Sequence, residues 1–141
     1  MSATGYLVDT SAFVRLAREP TVRDGWREQI GAGVLAICPV TELEILFSAR
    51  SKQHRDEMRS VLRDAFRWVV MPDRVFERAT SVQESLTDRG AHRSAGPVDL
   101  LVAATAEAHG LTLLHYDADF RVIAEVTGQP TRWLAEPGTL D

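Results

Sequence analysis

The chain has 141 residues, of which 45% are hydrophobic and 26% are charged, as in one ordinary globular domain. Its single cysteine, Cys38, excludes an internal disulfide framework and a four-cysteine metal site. The formal net charge of −4 argues against a surface that attracts nucleic acid everywhere. The apolar runs are too short to span a membrane, and the first residues lack the pattern of a secretion signal, so we expect a cytoplasmic protein.

The first half of the chain predicts two short apolar strands, each followed by helical sequence. A strand over 6–8 leads into a helix over 12–17, which Ser11 caps and Pro20 stops. The other elements of this half are a short helix that opens near Asp24 and ends at Gly31 and Gly33, a buried strand over 35–38, and a helix that Thr41 caps and that runs to Ser48 or Ala49.

The second half predicts a long amphipathic helix over 53–67, followed by further strands and helices. Pro97 at the first position and Gly110 just beyond the end are typical of the bounds of a helix over 98–109. The other elements are a strand over 68–70, a helix over about 73–88, a polar loop over 89–96, a strand over 111–116, a helix through 120–126 and an edge strand over 131–134.

Strands that alternate with helices at this spacing predict an α/β fold. We expect three layers, with a central, mostly parallel sheet of four to five strands covered by helices on both faces. The pattern indicates a single domain over 1–141, with its core over about 6–134 and a short flexible tail over 135–141.

Four acidic residues are predicted to meet at one edge of this sheet. Asp9 ends the first strand and Asp117 the fourth, while Glu44 and Asp99 fall in the first turns of helices. Ligands bind outside the carboxyl ends of the strands in such sheets. Carboxylates held together repel one another unless a cation intervenes, and oxygen ligands favour Mg²⁺ or Mn²⁺. A site of this kind suits hydrolysis of a phosphodiester bond.

Each acid also has a purely structural explanation, which the sequence leaves open. Thr41 and Glu44 have the spacing of a capping box, and Asp99 is favoured near a helix N-terminus by the macrodipole. Asp9 has the position of a turn or cap residue, and Asp117 with Asp119 has that of a cap for the next helix.

Four strings in the sequence resemble the acidic motifs of PIN domains. They are LVDTSAF over 7–13, TELEIL over 41–46, PVDLLVAATA over 97–106 and LLHYDADF over 113–120. Their order and spacing, from about Tyr6 to Trp133, resemble the single-domain VapC-like toxins of prokaryotic toxin–antitoxin pairs. This resemblance implies an endoribonuclease that depends on Mg²⁺ or Mn²⁺, forms a homodimer and is inhibited by a VapB-like antitoxin.

The resemblance also implies roles for individual residues. Asp9, Glu44, Asp99 and Asp117 form the catalytic quartet, in which Asp9 and Asp99 are the most direct metal ligands and Asp117 a supporting one. Ser11 and Asp119 are cofactor-binding candidates that surround the direct ligands, Ser11 as a hydrogen-bonding group beside the metal and Asp119 as a near neighbour. Glu44 rather than Glu42 matches the motif, and helical spacing places Glu42 about 200° away from it. The chain departs from the family pattern at Ser48, where glycine is usual, and at His115-Tyr116, where a small polar residue is more familiar.

Several other residues carry two interpretations. Arg55, Arg59, Arg63 and Arg67 recur every four residues and form either an RNA-contacting row or a solvated helix face. His115 is either a proton shuttle near Asp117 or a packed side chain. The three tryptophans provide either a platform for stacking bases or core and dimer contacts; they are Trp26, Trp68 and Trp133.

Two other functional classes compete with the nuclease. A non-catalytic module would keep the fold and bind RNA or an antitoxin without cutting, although all four acids are present. Phosphoryl transfer through an aspartyl phosphate also uses a strand-end Asp with Mg²⁺. Such sites typically need a second Asp two residues later or a Lys on a late strand. Here Ser11 stands at that position and the only lysine is Lys52, which disfavours this class.

Overall fold

The computed structural model describes residues 5–141 and has one parallel sheet in that part of the chain. The strand order is β3-β2-β1-β4-β5, and all four neighbouring pairs are parallel. The strands are β1 (Tyr6–Val8), β2 (Leu35–Ile37), β3 (Arg67–Trp68), β4 (Thr112–His115) and β5 (Thr131–Trp133). The prediction of a parallel sheet, in which the last strand of the chain lies at an edge, is therefore confirmed.

Helices connect the strands and cover both faces of the sheet. They are α1 (Thr10–Arg18), α2 (Pro20–Gly25), α3 (Arg27–Gly31), α4 (Pro39–Phe47), α5 (Lys52–Ala65), α6 (Val75–Asp88), α7 (Pro97–Ala108) and α8 (Asp119–Thr127). No helix in the described residues has both the length and the apolar character that a membrane crossing requires.

Alternating side chains of the strands build two hydrophobic cores. Leu7 and Leu113 point to one face, where they pack with α6, α7 and α8. Val8 and Leu114 point to the opposite face, where they pack with α1 and α5. All four side chains are fully buried, because a parallel sheet with helices on both sides has no solvent-facing surface. This arrangement confirms the three-layer αβα prediction.

Three predicted helix boundaries in the first half were wrong. Asp9, not Ser11, is the N-cap of α1, because its carboxylate accepts from the Ser11 backbone N–H. The predicted stop of α1 before Pro20 is correct, but the next helix begins at Pro20 and not near Asp24. Cys38 precedes α4, whose first residue is Pro39, so Thr41 lies inside the helix and is fully buried. Proline at the first helical position needs no amide partner, so α4 begins two residues before the predicted cap.

The boundary between α5 and β3 also differs from the prediction. The helix ends at Ala65, and Phe66 is already extended. Arg67 therefore begins β3 and does not continue the helical row of Arg55, Arg59 and Arg63. The extended conformation starts here because Arg67 and Trp68 pair in parallel with β2 at this point.

The segment over 135–141 returns to the α1 face of the sheet. Leu140 packs against that core, and its backbone N–H donates to the Tyr116 hydroxyl at 2.8 Å. Arg18 donates to the carbonyl of Asp141 at 3.0 Å. These contacts attach the last residues to α1 and to the end of β4.

Candidate active site

The acidic residues lie at the carboxyl edge of the sheet, as the strand ends predict. β1 and β4 are neighbours, with Val8 opposite Leu114, so the chain segments that follow them begin side by side. Asp9 is the first residue after β1, and its backbone N–H donates to the Leu114 carbonyl at 2.9 Å. Asp117 follows β4 by two residues. The parallel pairing therefore brings two carboxylates from distant parts of the chain to one place.

Asp9 is the most buried of these carboxylates, with 3% of its surface exposed. Its Oδ2 accepts from the backbone N–H of Ser11 at 3.0 Å and from the Ser11 hydroxyl at 2.7 Å. Its Oδ1 is buried and has no hydrogen-bond partner among residues 5–141. Burial raises the pKa of Asp9 more than the hydrogen bonds from Ser11 lower it. A buried carboxylate oxygen without a donor is costly, and a bound cation satisfies it.

Ser11 links Asp9 to the end of β4. While its hydroxyl donates to Asp9, the same oxygen accepts from the backbone N–H of Tyr116 at 2.9 Å. The Asp9 carboxylate is thus held from one side by two groups of Ser11, and Ser11 is itself held by the strand that delivers Asp117. Such outer contacts fix the orientation of a metal-binding carboxylate.

Asp99, Asp117 and Asp119 form a compact trio. One carboxylate oxygen from each lies within 4.8 Å of one from each of the others. Mg²⁺ holds oxygen ligands at about 2.0–2.1 Å, so two ligands of one ion are at most about 4.2 Å apart. The trio therefore stands close to the separation that a shared ion requires. The Asp119 backbone N–H donates to Asp117 Oδ1 at 2.9 Å and helps to fix that carboxylate.

The electrostatics connect this trio to Asp9. Burial, followed by the negative charge of Asp9, raises the pKa of Asp99 to about 6, and Asp117 and Asp119 add to the effect. The Gly96 N–H, which donates to Asp99 Oδ2 at 3.3 Å, lowers it. Burial and then Asp117 raise the pKa of Asp119. Carboxylates that raise one another's pKa values are characteristic of a site that expects a cation.

Glu44 stands at the outer side of the group and is exposed. Its carboxylate accepts a hydrogen bond from the hydroxyl of Thr10, the first residue of α1. The negative charge of Glu44 also contributes to the raised pKa of Asp9. A capping box between Thr41 and Glu44 is contradicted, because Thr41 is not the helix cap. Glu44 is turned toward α1 and Asp9 instead.

The structural explanations for the other acids coexist with the cluster. Asp9 does cap α1, Asp99 does accept from the N-cap of α7, and Asp117 does accept from the first N–H of α8. Local backbone contacts therefore orient these side chains and use only one oxygen of each carboxylate.

His115 is fully buried and packs between two aromatic rings. The ring centroids of Phe120 and Trp133 lie 5.2 and 4.8 Å from that of His115. Its Nδ1 accepts from the Asp117 backbone N–H at 3.2 Å. Burial lowers the pKa of His115 to about 4, against the opposing effect of Asp117. A neutral, enclosed imidazole of this kind orients the Asp117 backbone.

The fold places the arginines of the predicted row and the three tryptophans in different surroundings. Arg59 and Arg63 line a cavity of about 610 Å³ together with Trp68, whereas Trp26 is buried and donates from its indole to the Leu134 carbonyl at 3.0 Å. Trp133 packs on His115 and Tyr116. Trp68 is 54% exposed, and so it alone of the three presents its ring widely to solvent.

A family model described as the PIN domain matches residues 6–126. The chain belongs to the PIN-domain family. Two ribonucleases of Mycobacterium tuberculosis match this PIN-domain chain over nearly its whole length. Ribonuclease VapC21 is 46% identical over 136 residues, which cover 96% of this chain and 98% of that protein. Ribonuclease VapC51 is 41% identical over 139 residues, which cover 99% of each.

Solved structures agree with the PIN fold. VapBC2 from Rickettsia felis superimposes with a TM-score of 0.76 at 14% identity, covering 91% of this chain and 97% of the matched one. VapBC from Salmonella typhimurium gives a TM-score of 0.73, also at 14% identity, covering 94% of this chain and all of the matched one. At such identities the likeness concerns the fold.

The two departures from the PIN motif pattern leave the acidic cluster intact. Ser48 follows α4 with a φ of −81°, a conformation that does not need glycine, and its hydroxyl donates to the Ile45 carbonyl at 2.6 Å. Tyr116 contributes its backbone N–H to Ser11, so that contact places no demand on the side chain.

Sequence reasoning missed one contributor to this PIN-domain site and gave another a smaller role. Asp119 was predicted as a cofactor-binding neighbour and not as a direct ligand, yet its carboxylate belongs to the trio with Asp99 and Asp117. Thr10 was not singled out, although it holds Glu44. The position of Thr10, a hydroxyl residue directly after a strand-end acid, was the available sequence signal for its role. The corresponding signal for Asp119 was its spacing of two residues from Asp117.

Proposed function

We propose that this PIN-domain chain is a divalent-metal-dependent endoribonuclease. The observation that carries the proposal is the buried, unpartnered Oδ1 of Asp9, beside the convergent carboxylates of Asp99, Asp117 and Asp119. The names of the M. tuberculosis relatives support RNA as the substrate. The chemistry is the hydrolysis of a phosphodiester bond, in which water adds to phosphorus, one P–O bond breaks and a proton reaches the leaving oxygen.

The residues present fit Mg²⁺ or Mn²⁺. Asp9 Oδ1, Asp99 and Asp117 are the proposed ligands, and Asp119 joins them on the basis of the trio. All the donors are carboxylate oxygens, which both ions prefer. When bound, such an ion neutralises charge on the phosphate and lowers the pKa of adjacent water.

The surrounding residues position these groups. Ser11 fixes Asp9 and Thr10 holds Glu44 at the open side of the site. Glu44 is exposed and its negative charge acts on Asp9, so we place its carboxylate beside the space proposed for a phosphodiester and an attacking water. We assign Glu44 the orientation of that water and His115 the orientation of the Asp117 backbone.

The test is cleavage of total RNA with Mg²⁺, with Mn²⁺ and with EDTA. Asp9→Asn removes an anionic ligand and keeps the helix cap, because asparagine caps helices as well as aspartate does. We expect cleavage with either ion, none with EDTA, and a loss of at least about 100-fold in Asp9→Asn and Asp99→Asn. Asp64→Asn, an exposed acid on α5, is the matched control and is expected to cleave as the wild type does.

A wild-type chain that binds RNA but leaves it uncut under all these conditions contradicts the nuclease. That result supports the alternative of a non-catalytic module. An Asp9→Asn variant that cleaves at the wild-type rate shows instead that the cluster is not the reaction centre.

We also propose that the chain is the toxin of a toxin–antitoxin pair, working in the cytoplasm on the cell's RNA and inhibited by a VapB-like antitoxin. The solved VapBC assemblies and the acidity of the site support this partner, since a basic segment pairs favourably with a carboxylate cluster. An apolar groove of about 340 Å³ between α1 and α5, lined in part by Phe13, Leu16 and Val61, offers a separate surface for an apolar part of that antitoxin. Co-purification of Val61→Glu with a VapB-like antitoxin tests it, and undiminished recovery of the antitoxin contradicts it.

A homodimer is the remaining proposal. Leu43 and Phe47 lie four residues apart on α4 and expose 70% and 90% of their surfaces. Apolar side chains exposed to this degree favour an interface between copies. Sedimentation velocity of wild type and Phe47→Asp tests it: the variant is expected to shift toward monomer, and an unchanged distribution contradicts this interface.

A further inference from the structure

A cavity lined by both apolar and charged side chains lies at the same edge of the sheet as the acidic cluster. Its volume is about 610 Å³, and α4, α5 and the ends of β2 and β3 enclose it. We call it the Trp68 cavity; the side chains that give it character are Glu42, Arg59, Arg63, Phe66 and Trp68. Strand pairing gives its position, since Ile37 pairs with Trp68 and the β1–β2 register sets Val8 beside Ile37. Two inter-strand spacings, about 10 Å, therefore separate the backbones of Val8 and Trp68.

The two arginines of the cavity are free to bind an anion. Arg59 and Arg63 lie one helical turn apart on α5, both are exposed, and neither forms an ion pair within residues 5–141. Arginines elsewhere in the described chain do find carboxylates, as Arg78 does with Glu107 at 2.7 Å. Two guanidinium groups without carboxylate partners at the rim of a cavity favour an anionic ligand, such as a phosphate, over a neutral one.

Trp68 and Glu42 supply the other half of a nucleotide site. The Trp68 ring is 54% exposed on the edge strand β3, where it has a free face for stacking. Glu42 and Glu44 point to opposite sides of α4, because Glu44 contacts Thr10 whereas Glu42 lines the Trp68 cavity. A carboxylate beside an aromatic ring accepts hydrogen bonds from the amino or imino groups of a stacked base.

We propose that the Trp68 cavity is a binding subsite for an unpaired nucleotide of the RNA substrate. A base stacks on Trp68, its amino or imino N–H groups donate to Glu42, and Arg59 and Arg63 contact the adjoining phosphates. Rigid stacking sites of this kind recognise unpaired RNA, since bases inside a duplex are not accessible to an aromatic ring. The inference rests on the proposed ribonuclease activity and adds to it a preference for single-stranded segments.

Binding of labelled single-stranded oligoribonucleotides to the full chain tests the subsite. All variants are made in the Asp9→Asn chain, called the background chain, because this substitution prevents cleavage. Binding is measured with Mg²⁺ by fluorescence-anisotropy titration. Trp68→Ala is expected to weaken binding by about 5- to 150-fold, and Trp68→Phe to retain most of the affinity, because a stacking ring remains. Arg59→Ala and Arg63→Ala are each expected to reduce the slope of log K against log salt by about 0.7.

Two further variants separate this site from general charge effects. Arg27 is an exposed arginine at the start of α3, the helix that precedes β2, and its side chain pairs with Asp24. The Arg27→Ala variant is expected to bind RNA as the background chain does. Glu42→Ala is expected to reduce a preference for guanine, which donates both an imino and an amino N–H, over uracil, which donates one imino N–H.

The outcomes distinguish the subsite from the nuclease. If wild type cleaves RNA while the Trp68, Arg59 and Arg63 variants bind and cleave unchanged, the subsite is wrong and the nuclease stands. If these variants keep their affinity for RNA but fail to co-purify with the antitoxin, the cavity is a protein-binding surface and the inference is also wrong. If wild type neither binds nor cleaves RNA with Mg²⁺ or Mn²⁺, the proposed function itself fails.

Discussion

The hydroxyl of Ser11 accepts a hydrogen bond of 2.9 Å from the backbone N–H of Tyr116. The same hydroxyl donates to Asp9 at 2.7 Å, so one side chain ties the end of β1 to the end of β4. The hydroxyl of Ser11 therefore holds the two strand ends that deliver Asp9 and Asp117 in a fixed relation.

Ser11→Ala is expected to weaken Mn²⁺ binding by about 10- to 100-fold, because Asp9 loses the hydroxyl that orients it. The free energy of unfolding is expected to fall by about 1–3 kcal/mol, since the half-buried Tyr116 N–H loses its acceptor. Calorimetric titration with Mn²⁺ and urea denaturation measure the two effects. Ser60→Ala, on the exposed side of α5, is the matched control; equal Mn²⁺ affinity in the two variants contradicts the positioning role of Ser11.

Asp119→Asn is expected to weaken Mn²⁺ binding by about 10-fold or more, because its carboxylate completes the trio with Asp99 and Asp117. Its backbone N–H bond to Asp117 survives the substitution, so the local fold is retained. Asp88→Asn, at the exposed end of α6, provides the control in the same titration. An Asp119→Asn chain with wild-type Mn²⁺ affinity restricts Asp119 to its backbone contact.

The sequence could predict those parts of the site that depend on strand ends. Asp9 and Asp117 follow apolar runs, and parallel strands bring their carboxyl ends to one edge. Asp99 was predictable from Pro97, which marks the first turn of α7. Asp119 and Thr10 depend on how α8 and α4 are inclined to their neighbours, a tertiary relation that local sequence does not specify.

The errors at helix starts have a related physical cause. Asp9 and Ser11 are both favourable N-cap residues. The Ser11 hydroxyl does not cap the helix but accepts a hydrogen bond from the backbone N–H of Tyr116, 105 positions away in the sequence. Thr41 is buried beside Cys38, with 3.5 Å between the sulfur and the hydroxyl oxygen. A long-range hydrogen bond therefore engages Ser11, whereas Pro39 starts α4 before Thr41.

Leu113→Ala is expected to lower the free energy of unfolding by about 2–5 kcal/mol. Leu113 is fully buried at the centre of the core formed by α6, α7 and α8, so the substitution leaves a cavity. Val70→Ala removes apolar atoms from a residue that is 58% exposed and is expected to change this free energy by less than about 0.5 kcal/mol. Urea denaturation of both variants measures the contrast, and similar values contradict the assigned core.

Asp99→Asn is expected to stabilise the metal-free chain by an amount that grows as the pH rises from about 4 to about 6. Burial, followed by repulsion from Asp9, raises the pKa of Asp99 from 3.8 to about 6, so the folded state binds this proton more tightly than the unfolded state. The stability that this proton contributes is complete below about pH 4 and is lost as the pH rises through about 6. Asparagine does not ionise and therefore escapes that loss.

His115 acts on stability in the opposite sense over the same range. Burial lowers its pKa from 6.5 to about 4, so its contribution is present above about pH 6.5 and is lost as the pH falls through about 4. The two effects oppose each other in the pH dependence of the wild-type unfolding free energy. Both chains contain His115, so its contribution cancels when the unfolding free energy of the wild type is subtracted from that of Asp99→Asn. Urea denaturation of both chains in EDTA at each pH gives that difference. A difference in unfolding free energy that stays constant across this range contradicts the raised pKa of Asp99.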